Sequence, residues 1–428
     1  MQRLTVVAAF DELAAEGWIV TRATRGAFVS PDLPDVPVIP GPGVPRHVHI
    51  DLPPAPPAEM PYDVPKGGLL FAPNRPDVRL IPTDLIGRAY RRAIRRGAKI
   101  LGYGRPQGHE RLRAAVASML ASTRGIAATA DDVCITRGSQ MALALLAQSL
   151  VRPGDIVAVE ELTYRPAVEV FRMHGAKLVP IALDEHGIKI EAVEEIASNG
   201  KLRALHVTPH HQFPTTVTLS ASRRLRLLEL ARKHKFAIIE EDYDHEFHYD
   251  GPPVLPLASA DRFGVVAYAG TFSKVLAPAL RTGYIVAPRP LLKSVIAHRL
   301  YIDVQGDRIL EYALAELMEE GEIQRLIRRT RREYKMRRDL LANALRRRLG
   351  DALTFSVPAG GIGLWVKAAD GIDIDAWAGR AHKRGVVMIT AKAFALTARP
   401  RPFARLGFAA LNRQELAEAV RRLATALD

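Results

Sequence analysis

The pattern of apolar and polar positions changes character twice along the chain. In residues 5–16, Val6, Val7, Phe10 and Leu13 recur at helical spacing, and Glu16-Gly17 ends the run. Trp18-Ile19-Val20 and Gly26-Ala27-Phe28-Val29 flank Arg22–Arg25 and predict a hairpin-like tail. Residues 31–66 are dominated by proline, which excludes a continuous helix or central strand and predicts an extended, semi-stiff linker. From Asp132 a regular alternation begins. Strand-like Val133–Thr136, Ile156–Glu160, Leu178–Ile181, Leu202–Val207, Ala237–Glu241 and Val265–Ala269 are separated by helical Met141–Leu150, Ala167–His174 and Ser220–Lys235. Short apolar runs between amphipathic helices predict an α/β fold, a mostly parallel, doubly wound sheet covered on both faces. After Pro290 the pattern shifts to one long helix over Arg308–Leu349, strands Gly363–Val366 and Val386–Ile389, and a terminal helix Arg413–Leu427. That change predicts a smaller α+β domain. No internal repeat is present.

Composition narrows the class. The 428 residues are 48% hydrophobic and 25% charged, which suits a soluble globular protein of two or three domains. No stretch nears the ~18 uninterrupted apolar residues of a membrane helix, and the first residues, with Asp11 and Glu12 in the helix they open, do not resemble a secretory signal. Cys134 is the single cysteine, so an internal disulfide is excluded and a reducing cytoplasm fits. Its place in Val133-Cys134-Ile135 reads as a core strand. The net charge of +14 favours anionic partners, nucleic acid among them, or else reflects solvated helix faces such as Arg328–Arg332 and Arg346–Arg348.

The candidate chemistry centres on Gly270-Thr271-Phe272-Ser273-Lys274, a hydroxyl-rich turn directly after an apolar strand, with Arg281 two turns' worth of chain later. Desolvation lowers a buried lysine's pKa and frees its amine to attack an aldehyde, so Lys274 is a candidate Schiff-base nucleophile. Thr271 and Arg281 suit a phosphate beside it, and together they suggest pyridoxal 5'-phosphate. Other unusual residues collect beyond the carboxyl ends of the predicted strands, where open α/β sheets bind ligands. Gly138-Ser139-Gln140 opens a helix and makes a phosphate seat, or an ordinary serine N-cap. Glu240-Glu241-Asp242-Tyr243 offers a carboxylate for a pyridine nitrogen and a hydroxyl for the ring's phenolic oxygen, or acids that merely face solvent. Tyr164 suits stacking on a ring face, or packing. Arg405, amid apolar residues, suits a substrate carboxylate or a structural ion pair. His210-His211 invites a metal, but neighbours in an extended segment point to opposite sides and no further Cys/His spacing supports zinc, so no metal is expected.

Taken in order, Tyr103–Gly108, Leu112-Arg113, Gly138–Gln140, Thr208–Thr215, Glu241–Phe247, Gly270–Lys274 with Arg281, and Arg405–Phe408 resemble the fold-type I aminotransferases. More narrowly, they are similar to the MocR/GabR group of GntR-type regulators, in which such a domain is fused to a winged helix. The likeness covers about residues 67–428. It implies a large subdomain over about 110–290, a small one from 67–109 and 291–428, and a homodimer. It also implies Lys274 as the Schiff-base lysine, Tyr243 on the phenolic oxygen and Tyr164 on the ring. Ser139, Gln140, Thr271 and Arg281 would hold the phosphate, and Arg405 an amino acid's carboxylate. Two positions depart from the group. Glu241 stands where an aspartate usually meets the pyridine nitrogen, so either it still reaches, or Asp242 substitutes, or the electron sink weakens. Thr216 stands where a glycine is common, so the turn there is expected to differ.

Residues 1–30 are similar to the recognition helix and wing of a GntR winged helix without its two preceding helices, and are too short to bury a core. In a complete module Arg3, Thr5, Arg22 and Arg25 would face DNA. The resemblance implies a cytoplasmic regulator sensing an amino compound through aldimine formation at Lys274. Its rivals are a working aminotransferase with a vestigial DNA-binding segment, and a cofactor-binding fold without turnover.

Overall fold

The structure, a computed structural model, describes residues 3–33, 50–52, 62–397 and 399–427. The expected proline-rich linker falls largely outside them, at 34–49 and 53–61. The chain divides into two compact units, Met1–Pro57 and Ala58–Asp428. Within the first, the helix Arg3–Ala15 precedes an antiparallel hairpin of Ile19–Arg22 with Gly26–Val29. No residue of that helix is buried, and Val7, Phe10, Trp18 and Phe28 are all exposed. One helix and one hairpin lack the surface to enclose a core.

The second unit is built on a seven-stranded sheet: β1 (Val133–Thr136), β2 (Ile156–Glu160), β3 (Lys177–Ile181), β4 (Leu202–Val207), β5 (Ala237–Asp242), β6 (Val266–Thr271) and β7 (Gly283–Val286). Their order is β1-β7-β6-β5-β4-β2-β3. β7 runs antiparallel to both of its neighbours and the remaining pairs are parallel. All residues of β1, β6 and β7 are buried, as strands covered on both faces require. β7 escapes the sequence pattern because it is four residues long and follows Arg281 with no helix between. Gly270 faces it, where a Cβ would overlap the Tyr284 ring.

A four-stranded antiparallel sheet of Leu353–Thr354, Gly363–Ala368, Phe403–Gly407 and Ile389–Thr390 forms the smaller layer. Its core holds the fully buried Trp377, whose indole nitrogen donates to Leu423 O at 3.1 Å. Three expectations need correction. The predicted helix Arg308–Leu349 is two, Arg308–Glu319 and Glu322–Leu349, because Gly321 takes φ +73 and ends the first in a left-handed cap. Val386–Ile389 is not one strand, since Val386–Val387 pairs with Leu69–Leu70 and Ile389–Thr390 pairs in the four-stranded sheet. The small subdomain expected at 67–109 and 291–428 is also less contiguous. Ala89, Ala93 and Leu310–Met318 pack into a core with Val133 and Ile135, and Leu292 and Val295 pack with Cys134. Phe71 and residues from Tyr334 onward pack with Trp377.

Where the two layers meet, residues 72–74 run beside the strand Phe403–Gly407. A Cβ on Gly407 would overlap the Ala72 carbonyl. Gly407→Ala should therefore push residues 72–74 away and destabilise the fold by about 3 kcal/mol, read from urea unfolding.

Candidate functional site

Residues from four strand ends converge at one edge of the large sheet. Lys274 follows β6 and is partly buried, its Nζ donating to Asn74 O at 2.7 Å. Burial pushes its pKa down to about 8, opposed by the carboxylates of Glu241 and Asp244 and assisted by Arg281 and Arg405. Glu241 is the last residue but one of β5, and Asp244 lies two residues past the strand's end. Glu241 Oε2 lies 3.2 Å from His206 Nε2, and both residues are buried. Asp244 Oδ1 lies 2.8 Å from His211 Nδ1, and burial together with Asp242 pushes its carboxyl well up.

Strand alternation separates Glu241 from its neighbour. Asp242 accepts from Tyr268 Oη at 2.6 Å and lies 3.7 Å from Arg124 Nε and 3.1 Å from His245 Nδ1. Burial alone would raise its carboxyl, but His245 and Arg124 hold it well below the usual range. Asp242 thus belongs to a buried structural network, and Glu241 is the carboxylate of the two whose charge acts on Lys274. Tyr243, the next residue, is buried and donates its hydroxyl to His211 O at 2.8 Å, and burial raises its pKa well above 10.

The residues expected to hold a phosphate lie around the start of the helix Gly138–Leu150. Gly138 has φ +80, and a Cβ there would come within 2.7 Å of Arg281 Nη2. Arg281 itself takes φ +45 and donates to Arg137 O at 3.1 Å. Thr271 Oγ1 is 3.0 Å from Ser273 Oγ and accepts from Ser273 N at 3.2 Å. Ser139 and Gln140 stand in the helix's first turn, Gln140 Nε2 donating to Pro166 O at 2.7 Å while its Oε1 is buried without a hydrogen-bond partner. A cavity of about 670 Å³ opens beside these residues, lined by Thr136, Arg137, Arg281 and Thr282, but Lys274 and Arg405 are not in its wall.

Arg405 is fully buried on the strand Phe403–Gly407. Its Nε donates to Pro73 O at 2.7 Å and its Nη1 to Pro214 O, and its guanidinium lies 5.0 Å from the Phe213 ring centre. Among the described residues it makes no ion pair, and Nη2 has no hydrogen-bond partner. A buried, unpaired guanidinium is costly to a fold, so a structural ion pair does not account for Arg405. Tyr164 precedes the helix Arg165–Met173 and meets Phe213 edge-on at 5.9 Å.

Sequence reasoning missed His206, Glu160 and Asp244. Each is a polar side chain at or within an apolar strand, or just past its end, and that was the available signal. Burial pushes Glu160 up to about 7, against donors from Thr208 and Gln212. The expectation that His210 and His211 diverge is overturned. The chain bends at both residues, and the two rings lie 4.1 Å apart instead of on opposite sides. Thr216 holds φ +64, the left-handed conformation a glycine takes without strain, so the turn is kept with a β-branched residue in it. Arg3, Thr5, Arg22 and Arg25 lie exposed in the N-terminal unit. Among the described residues no helix is long and apolar enough to cross a membrane.

Comparison with known proteins follows this geometry. The family "Aminotransferase class I and II" matches residues 74–423. Aromatic-amino-acid aminotransferase 1 of Thermococcus litoralis is 31% identical over 360 residues, 83% of this chain and 86% of that protein. The probable rhizopine catabolism regulatory protein MocR of Rhizobium meliloti is 31% identical over 440 residues, 100% of this chain and 86% of that protein. The crystal structure of LysN, the alpha-aminoadipate aminotransferase of Thermus thermophilus complexed with N-(5'-phosphopyridoxyl)-L-leucine, superposes with a TM-score of 0.77. The two are 28% identical, over 85% of this chain and 92% of that one.

Three substitutions separate strain from structure. Thr216→Gly should stabilise the protein by about 1 kcal/mol in urea unfolding, the relief of strain exceeding glycine's entropy. Asp242→Asn should cost about 3 kcal/mol by leaving Arg124 underpaired, whereas Glu241→Gln should leave the unfolding midpoint nearly unchanged.

Proposed function

The chain belongs to the class I and II aminotransferase family, and on that premise we propose that it is a regulator of the MocR type that senses an amino compound at Lys274. Its cofactor is pyridoxal 5'-phosphate. The residues fit that group: Lys274 offers a low-pKa amine, Gly138 lets the Arg281 guanidinium approach the start of a helix, and Arg405 Nη2 is an orphaned donor. Bound there, the cofactor supplies a carbonyl carbon for amines and an electron-drawing ring. Glu241, steadied by His206, would face the ring nitrogen, Tyr243 the phenolic oxygen and Tyr164 the ring face. Thr271, Ser139, Gln140 and Arg281 would hold the phosphate. Arg405 would receive the amino compound's carboxylate, and Lys274 would carry a proton to and from the carbon beside it.

One observation carries the regulator reading: the likeness to the MocR protein spans the whole chain, including the N-terminal helix and hairpin. These would be the recognition helix and wing of a winged helix, with Arg3, Thr5, Arg22 and Arg25 toward DNA and a homodimer presenting two such elements. The overall charge of +14 agrees with an anionic partner. Sensing then requires that the amino compound bind two global states unequally. A second reading, an active aminotransferase, is favoured by the intact set of Lys274, the Glu241–His206 pair and the unpaired Arg405. Incubation with a panel of amino acids and a 2-oxo acid as amino acceptor tests it: steady conversion of both supports turnover, and a change in DNA affinity without conversion supports sensing.

Attachment of pyridoxal phosphate to Lys274 needs the neutral amine. Its rate should rise about tenfold per pH unit toward pH 8 and level off above, measured by the visible band of the lysine-bound cofactor; a rise continuing past pH 10 would contradict the placement. Arg405→Ala should keep that band and weaken the response to amino acids roughly 100-fold. Loss of the band as well would contradict the role given to Arg405.

A further inference from the structure

Beneath Tyr243 lies a group of side chains that the cofactor site does not use. His210 and His211 come from the loop after β4, and His245 and His248 from the loop after β5. The rings of His210 and His245 stack at 4.5 Å, those of His211 and His248 at 5.8 Å, and His210 is 5.8 Å from His248. One ring nitrogen from each of His210, His211 and His248 falls within 4.8 Å of the others. Both nitrogens of His210, Nε2 of His211 and Nδ1 of His248 are buried without hydrogen-bond partners. Each such atom costs roughly 1–3 kcal/mol unless something satisfies it.

His211 Nδ1 lies 2.8 Å from Asp244 Oδ1, which leaves Nε2 as the ring nitrogen without a hydrogen-bond partner. A carboxylate behind a histidine is the arrangement that orients an imidazole toward a metal. The fourth side is backbone: a Cβ on Gly360 would overlap the His211 ring.

We infer that His210, His211 and His248 form a site for one divalent transition-metal ion of the zinc class. Three imidazoles and no thiolate suit Zn²⁺ and the related late first-row ions rather than magnesium or calcium. Nitrogens bound at ~2.0–2.1 Å around a tetrahedral ion lie roughly 3.4 Å apart, so the rings close by about an ångström through small side-chain rotations. Such an ion would fix the loop whose His211 carbonyl receives the Tyr243 hydroxyl, and so steady the cofactor's edge from below.

The test uses the full chain, stripped by a chelator and titrated with Co²⁺ or Zn²⁺ by calorimetry and visible absorption. One equivalent of Co²⁺ should bind with d–d bands of a low-symmetry nitrogen site, and Zn²⁺ should displace it. His210→Ser and His248→Asn should each weaken binding at least 100-fold, and Asp244→Asn by about 10–100-fold, with unchanged circular dichroism confirming the fold. No stoichiometric binding by the unchanged protein, or full binding retained in either histidine variant, would overturn the assignment. Water alone would then fill the cluster.

Discussion

Arg405 and Lys274 are cations withdrawn from water with backbone carbonyls, rather than carboxylates, as their direct partners. Proteins seldom tolerate this, because a desolvated charge without a counter-ion is penalised by several kcal/mol. Here the two are held by one short segment, residues 73 and 74, whose carbonyls accept from Arg405 Nε and Lys274 Nζ. That segment is pressed against the small sheet by the close approach that Gly407 permits. Arg281 and Thr216 hold positive φ angles, +45 and +64. Strain and unpaired charge are what a ligand site stores, and a carboxylate with a phosphate would relieve both.

The negative charge of the site is graded rather than cancelled. Asp242 is spent on Arg124, Tyr268 and His245, deep in the sheet. Glu241 is paired with a histidine instead of an arginine. Glu160 is buried far enough that its carboxyl rises to about 7, and so adds little repulsion near neutral pH. The extra methylene of Glu241 therefore comes with a partner that holds it in place.

Much of this was legible along the chain. Strands 133–136, 156–160 and 202–207 follow their apolar runs to the residue, because parallel strands buried on both faces are continuous in hydrophobicity. Lys274 and Arg405 stood out because charge inside such runs demands a reason. What was not legible depended on three-dimensional context. A turn after β4 brings His210 and His211 together, which alternation in an extended strand would forbid. Gly321 breaks a helix whose flanks both read as helical. The choice between Glu241 and Asp242 rests on which face of β5 each occupies, and adjacent acids cannot reveal that until Arg124 and His206 are placed.

The account stands on Lys274 as the covalent anchor of the cofactor, and reductive trapping tests this most directly. Purified protein loaded with pyridoxal phosphate is reduced with borohydride at pH 8, digested and mapped by mass spectrometry. One phosphopyridoxyl group per chain on the peptide containing Lys274, absent from Lys274→Ala, is the predicted result. No modification, or modification spread over other lysines and unchanged in that variant, would contradict it.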